Sequence, residues 1–239
     1  MAVLAREGAL QLLPHLDRTG RVRTAPLWPG HQNRPRVPPA LGTMGVMTDP
    51  AVPTRGPRRV RVIGDSGAGK TTFARRVAAR LGVPHLELDE VFWDRDWTWR
   101  DLDDAQARLR TFVAGPGADG WVVDGNWRSR LGDLLDDADT IVWLDYSRAR
   151  IMGRVVRRTL GRGLTRRELW HGNREHLSSL VRRNPEDNIA LWAWTQHGPY
   201  RAQYAELARH DPRVVRLDSP RAARTWLAAV TRHATPAQP

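Results

Sequence analysis

The chain has 239 residues and no cysteine, which rules out disulfides, thiolate metal sites and cysteine nucleophiles. Its net charge of +12 calls for an anionic partner. No apolar run approaches the ~18 residues of a bilayer span, and Arg6 and Glu7 break the apolar start of the chain, so a soluble cytoplasmic protein with no membrane partner is expected.

Residues 1–57 carry nine prolines, from Pro14 to Pro57, without sustained periodicity, and they read as a disordered leader. Met44 and Met47 lie just before the first periodic segment. Either translation starts there, or the leader is a solvated arginine-containing tail. The remaining length suits one α/β domain over 58–232, followed by a short disordered tail at 233–239.

Val60-Arg61-Val62-Ile63 is short and β-branched, as in a buried strand, while Phe73, Val77, Ala78 and Leu81 recur at helical spacing. Between them lies Gly64-Asp65-Ser66-Gly67-Ala68-Gly69-Lys70-Thr71, followed by Thr72. It fits the phosphate-binding loop G-x-x-x-x-G-K-[ST] at every defined position. Gly64, Gly67 and Gly69 let the backbone turn its N–H groups inward, and the new helix adds its positive end, so the loop can cradle an anion. Lys70 then reaches the β- and γ-phosphates, and the Thr71 hydroxyl ligates Mg²⁺. The expected ligand is a nucleoside triphosphate, ATP with Mg²⁺. The alternative is a glycine-rich turn that matches by chance, against which stands the strand–loop–helix context. Lys70 is also the only lysine among 38 basic residues, at the one place where a compact ammonium is needed.

His85-Leu86-Glu87-Leu88-Asp89 reads as the second strand, with Asp89 at its carboxyl end. Thr98 and Asp101 have capping spacing before a helix whose apolar positions are Leu102, Ala105, Leu109, Phe112 and Val113. The third strand is Trp121-Val122-Val123-Asp124, leading into Gly125-Asn126-Trp127-Arg128, and the fourth is Thr140 to Asp145. Thr165 with Glu168 reads as the cap of a further helix; Val214 to Leu217 is a late strand, and Ser219-Pro220 opens the last helix. Strands alternating with helices imply a parallel sheet covered on both faces.

In such a sheet the ligands bind beyond the carboxyl ends of the strands. Asp124 either holds Mg²⁺, directly or through water, or merely begins the turn before Gly125. Asp89 either accepts a proton from a substrate hydroxyl or caps a helix beside Glu90. From Arg148 to Arg183 there are eleven arginines against two glutamates. Within that block Arg150, Arg154, Arg157 and Arg158 share one helical face, either to chelate a transferring phosphoryl group or to form a solvated basic face. The tryptophans near Asp89 and those at Trp192 and Trp194 serve either as an aromatic wall for a flat base or as core. His171 and His176 are five apart, the wrong spacing for a metal pair on one helix face.

The phosphate loop, Leu88-Asp89 with Phe92-Trp93, Val123-Asp124-Gly125-Asn126-Trp127 and Leu144-Asp145 together resemble small P-loop kinases of the adenylate kinase type. They are more similar still to the bacterial group known as DNA topology modulation proteins or adenylate kinase-related kinases. The resemblance covers about Arg59 to Val230. It implies a three-layer α/β P-loop NTPase fold, nucleoside monophosphate kinase-like, with a central parallel sheet of about five strands and a helical, arginine-rich lid over about 150–185. It also implies an ATP-dependent phosphotransferase in which Asp124 lies near Mg²⁺, Arg154 and Arg158 are lid arginines and Asp89 holds the acceptor. Adenylate kinases continue from the third strand into Phe-Pro-Arg, where this chain has Asn126-Trp127-Arg128. The replacement argues against AMP and makes Trp93, Asn126 and Arg128, with Asp89, candidates for contacting a small phosphoryl acceptor. A second class of function remains open, an ATP-binding regulatory protein that uses the arginine block on nucleic acid.

Overall fold

A computed structural model of the protein describes residues 15–16, 22–23, 56–165, 168–175, 183 and 188–233. The expected leader and tail fall almost wholly outside these residues, as do parts of the arginine-rich stretch. Of the leader, His15–Leu16 pairs antiparallel with Val22–Arg23.

The main sheet has five parallel strands: β1 (Arg59–Gly64), β2 (His85–Glu87), β3 (Trp121–Asp124), β4 (Thr140–Leu144) and β5 (Val214–Leu217), in the spatial order β2-β3-β1-β4-β5. Around it run α1 (Lys70–Leu81), α2 (Leu88–Phe92), α3 (Leu102–Ala114), α4 (Arg128–Leu131), α5 (Arg148–Thr165), α6 (Ile189–His210) and α7 (Pro220–His233).

Period-two alternation divides the core between the two faces of this sheet. Val60, Val62, Val122, Val142 and Leu144 pack with Val77 of α1, Val155 of α5 and Leu227 of α7. Ile63, Trp121, Val123, Ile141 and Trp143 face the other way, onto Phe92 of α2, Leu109 of α3, Leu131 of α4 and Tyr204 of α6. Three layers result. Arg61 lies in the same strand between valines and is buried, and loss of hydration lowers its pKa to about 10.

Two boundaries differ from the sequence reading. β2 stops at Glu87, and Leu88–Phe92 is a short helix, so Asp89 sits in a first helical turn rather than in the strand. Buried Leu88, Val91 and Phe92 follow helical spacing, which overrides the apparent strand run. Thr165 does not open a helix: it is the last residue of α5, and its Oγ1 donates back to the Gly161 carbonyl at 2.7 Å. Asp101 does cap α3, accepting from Asp103 N and Asp104 N, whereas Thr98 bonds back to the Arg95 carbonyl. Ser219 accepts from Ala222 N at 3.2 Å at the start of α7, as its sequence position suggests.

Candidate active site

Because the strands run parallel and β1 is central, the β1–α1 loop, the residues after β2 and the end of β3 open on one edge of the sheet. Val62 pairs with Asp124 and Glu87 pairs with Asp124, so the register sets these three strand ends side by side.

The loop itself is built for an anion. Gly69 enters α1 at φ 87 with no side chain capping the helix, whereas α3 and α6 are capped by Asp101 and Asn188. The first N–H groups of α1 are therefore left for a ligand, at the positive end of the helix. Gly67 is required for a different reason. At φ 87, a Cβ there would lie 2.5 Å from Val155 Cγ2, so the loop rests directly on α5.

Lys70 Nζ donates to the carbonyls of Gly64 at 3.0 Å and Asp65 at 3.1 Å. Burial pulls its pKa down, against the opposing charges of Asp89, Asp124 and Asp65. Asp65 Oδ1 accepts from Ser66 N at 2.7 Å, while its Oδ2 lies 2.9 Å from His197 Nδ1 on α6. Burial raises the Asp65 pKa. At the end of β3, Asp124 Oδ2 accepts from Thr71 Oγ1 at 2.8 Å, and Oδ1 lies 2.8 Å from His85 Nε2. A carboxylate and a hydroxyl beside a phosphate cradle form a hard-oxygen set that suits Mg²⁺.

Asp89 Oδ1 accepts from Trp127 Nε1 at 2.7 Å, which leaves Oδ2 with no hydrogen-bond partner among the described residues. Burial pushes its pKa up, although the indole bond and the Lys70 charge pull it down. Asn126 Nδ2 donates to the Gly64 carbonyl at 2.8 Å, which ties the β3 turn to the phosphate loop. Gly125 makes that turn at φ 137, and a Cβ there would meet Leu88 Cβ at 2.8 Å.

From α5, Arg154 Nη1 donates to the Ala68 carbonyl at 2.8 Å, with its guanidinium carbon 5.1 Å from the Tyr146 ring centroid. Four residues on, Arg158 lies 3.9 Å from Glu175, and burial lowers its pKa. Arg162 reaches the same Glu175 oxygen at 2.6 Å.

Many of these groups line one cleft of about 1050 Å³, although Gly64 and Asp65 of the loop, with His85 and His197, do not border it. Ser66, Gly67, Ala68, Gly69, Thr71 and Thr72 form its floor, and Asp89, Trp93, Asp124 and Asn126 also border it. Arg154, Arg157, Arg158 and Arg162 come from α5. Arg150, placed on the same face by sequence spacing, is exposed and does not line the cleft. Nor does Arg128, which borders a separate small cavity with Arg61 and Tyr204.

This is a P-loop NTPase-like fold. No protein-family model matches the chain. A stretch of 57 residues is 46% identical to cytidylate kinases from two strains of Nitratidesulfovibrio vulgaris, covering 21% of this chain and 24% of each relative. The chain thus spans about a quarter of the length of the curated relatives it matches. Among solved structures, an uncharacterized protein from Eubacterium ventriosum aligns at 16% identity over 72% of this chain and 98% of its own, with a TM-score of 0.39. A gluconokinase from Sinorhizobium meliloti aligns at 20% identity over 75% of this chain and 90% of its own, also with a TM-score of 0.39. The cytidylate kinase match supports the broad kinase-like group of P-loop proteins. No helix among the described residues is long and apolar enough to cross a membrane.

Sequence reasoning did not place His85, His197, Trp127, Tyr146, Arg162 or Glu175 in the site. Trp127 stood next to Asn126 and could have been found there. His197 lies 132 residues from Asp65, and nothing local announces that contact.

Proposed function

We propose that the protein is an ATP-dependent phosphotransferase that moves the γ-phosphoryl group to a small acceptor, a nucleotide, nucleoside or hydroxylated metabolite. One observation carries this reading. The uncapped phosphate loop with Lys70 shares its cleft with Asp89, a carboxylate that has one oxygen fixed by Trp127 and the other open for a hydroxyl.

In this reading the loop N–H groups and Lys70 bind the triphosphate, and Thr71 and Asp124 hold Mg²⁺, which when bound neutralises phosphate charge. The acceptor hydroxyl attacks the γ-phosphorus. A new O–P bond forms as the bond to the β-phosphate oxygen breaks, the hydroxyl proton passes to Asp89 Oδ2, and ADP leaves. Arg154 and Arg158 stabilise charge on the transferring oxygens.

The arginines give less support to the nucleic-acid reading, because four of those on α5 border the cleft. Acceptor-dependent ADP release, screened over nucleotides, nucleosides and hydroxylated metabolites, is the test. Release that needs an acceptor and withstands moderate salt is expected. Salt-sensitive DNA binding without acceptor-dependent turnover overturns the reading.

A further inference from the structure

The acceptor half of the cleft differs in chemistry from the triphosphate half. It is bordered by Trp93, Trp97, Trp99, Trp127 and Trp170, with the carboxylates of Asp89 and Glu175 among them. Both carboxylates are half-used. Asp89 has Oδ1 on the Trp127 indole, and Glu175 has Oε1 on Arg162. Glu175 Oε2 is buried and has no hydrogen-bond partner among the described residues, in a side chain only 9% exposed. A buried carboxylate oxygen without a donor is costly unless a ligand supplies one.

The cations near this end have other partners or another role. Arg162 is hydrogen-bonded to Glu175 at 2.6 Å, whereas Arg158 lies 3.9 Å from the same oxygen and its buried Nε has no hydrogen-bond partner among the described residues; that guanidinium is the one assigned above to the transferring phosphoryl group. Arg100 is committed to the Val91 and Trp93 carbonyls and to Asp94, and Arg130 to the Arg100 carbonyl and the face of Trp99. An anionic group on the acceptor would therefore meet two unsatisfied carboxylate oxygens, while Arg162 is held by Glu175, Arg100 and Arg130 do not border the cleft, and Arg158 is claimed by the transferring phosphoryl group.

We propose that the acceptor is a hydroxylated molecule without a phosphate or carboxylate group, which lays a flat or apolar face on the tryptophans and donates hydrogen bonds to Asp89 and Glu175. It is neutral or cationic. The proposal rests on the phosphotransferase reading and narrows it, since it excludes both a nucleoside monophosphate and an aldonic acid. Asp89 takes the proton of the reacting hydroxyl, and Glu175 accepts from a second hydroxyl or an amine, while the rings supply stacking or cation–π attraction.

The test uses the full chain with Mg²⁺ and ATP on matched pairs: cytidine against cytidylate, glucitol against gluconate, and glucosamine against glucosamine 6-phosphate. The non-anionic member of at least one pair is expected to support ADP release with kcat/KM at least about tenfold above its anionic partner. Preference for the anionic members, or ATP binding with no turnover of any non-anionic member, overturns the proposal. The first of those results leaves the phosphotransferase reading standing. Failure to bind ATP removes that reading and the proposal with it.

Glu175→Gln supplies a readout that a merely structural role would not move. Its amide keeps an acceptor for Arg162 but replaces the open oxygen with a donor, so KM for the neutral acceptor is expected to rise about tenfold or more with ATP affinity unchanged. Selectivity is expected to shift towards the anionic member of the pair. Unchanged selectivity overturns the assignment of Glu175. Trp170→Ala is expected to raise the acceptor KM by about tenfold, with rescue by Trp170→Phe.

Discussion

Asp89 shows how a single side chain links stability to activity. Its pKa is raised above the ordinary carboxylate value, so the folded chain holds this proton more tightly than the unfolded chain does. The group therefore costs the fold stability as pH rises from the unfolded to the folded pKa, and that cost persists at neutral pH. Asp89→Asn removes the charge and keeps an oxygen for Trp127 Nε1. The variant is expected to lose about 10²-fold or more in kcat while its Tm at neutral pH stays level or rises. In the wild type, the acid limb of kcat against pH is expected above the usual carboxylate range near 3.9, because the base must first ionise. A limb at the ordinary value would remove Asp89 as the base. Lys70 is the complementary case. Lys70→Arg exchanges a point charge for a planar fork in a loop whose carbonyls hold the ammonium at 3.0 and 3.1 Å, and a kcat loss of about 10²-fold or more is expected in ADP-release assays. The place of Lys70 in the loop was legible because the motif is written in contiguous residues. The support given to Asp89 by Trp127 spans 38 positions, and only the packing of α2 against the β3 turn brings the two together.

At the scale of elements, α5 does two things at once. Its buried stripe, Ile151, Val155 and Thr159, supports the phosphate loop, while Arg154, Arg158 and Arg162 turn into the cleft. Gly67→Ala forces a methyl group against Val155 in a left-handed conformation. A fall in Tm of roughly 4–8 °C is expected by calorimetry, together with weaker ATP binding. Arg154→Ala and Arg158→Ala are each expected to lower kcat by about 10²-fold with smaller effects on ATP affinity, and the double variant to lose less than the product of the two. Unchanged kcat in both would remove them from the catalytic set. The strands, apart from the carboxyl end of β2, and the last helix were readable from β-branched runs and a Ser-Pro start. α6 was not, although it is 22 residues long, because Gly198-Pro199 interrupts it and apolar residues are spread around its circumference. The arginine face was read partly wrong for a related reason. Helical spacing shows which residues share a side, but Arg150 lies about two turns before Arg158, where the helix has not yet reached the cleft.

At the scale of the molecule, two distant segments meet at the acceptor end, where Trp97 and Trp170 both border the cleft. Asn173 is only 4% exposed and uses both ends of its amide, accepting from Trp97 N at 3.0 Å and donating to the Asp94 carbonyl at 2.7 Å. Trp97 meets Trp170 edge to face, and His171 Nε2 lies within 3.2 Å of Arg100 Nη2 and 2.9 Å of the Glu90 carbonyl. Asp96, Trp97 and His171 take positive φ angles of 55°, 55° and 58°, a strain of about 1–3 kcal/mol each that persists only while the surrounding bonds hold it. A kcat limited by movement of this clasp is expected to fall as solvent viscosity rises. Six of the eleven tryptophans line the cleft, and acceptor binding is accordingly expected to change intrinsic fluorescence. The clasp also decides what happens when no acceptor is present. Water is smaller than any substrate and is always at hand, and a site able to activate a hydroxyl can activate water too. Asn173→Ala removes both of these bonds without touching the phosphate loop. The result expected is a leak, in which ATP is hydrolysed with no acceptor present and the two substrates become uncoupled.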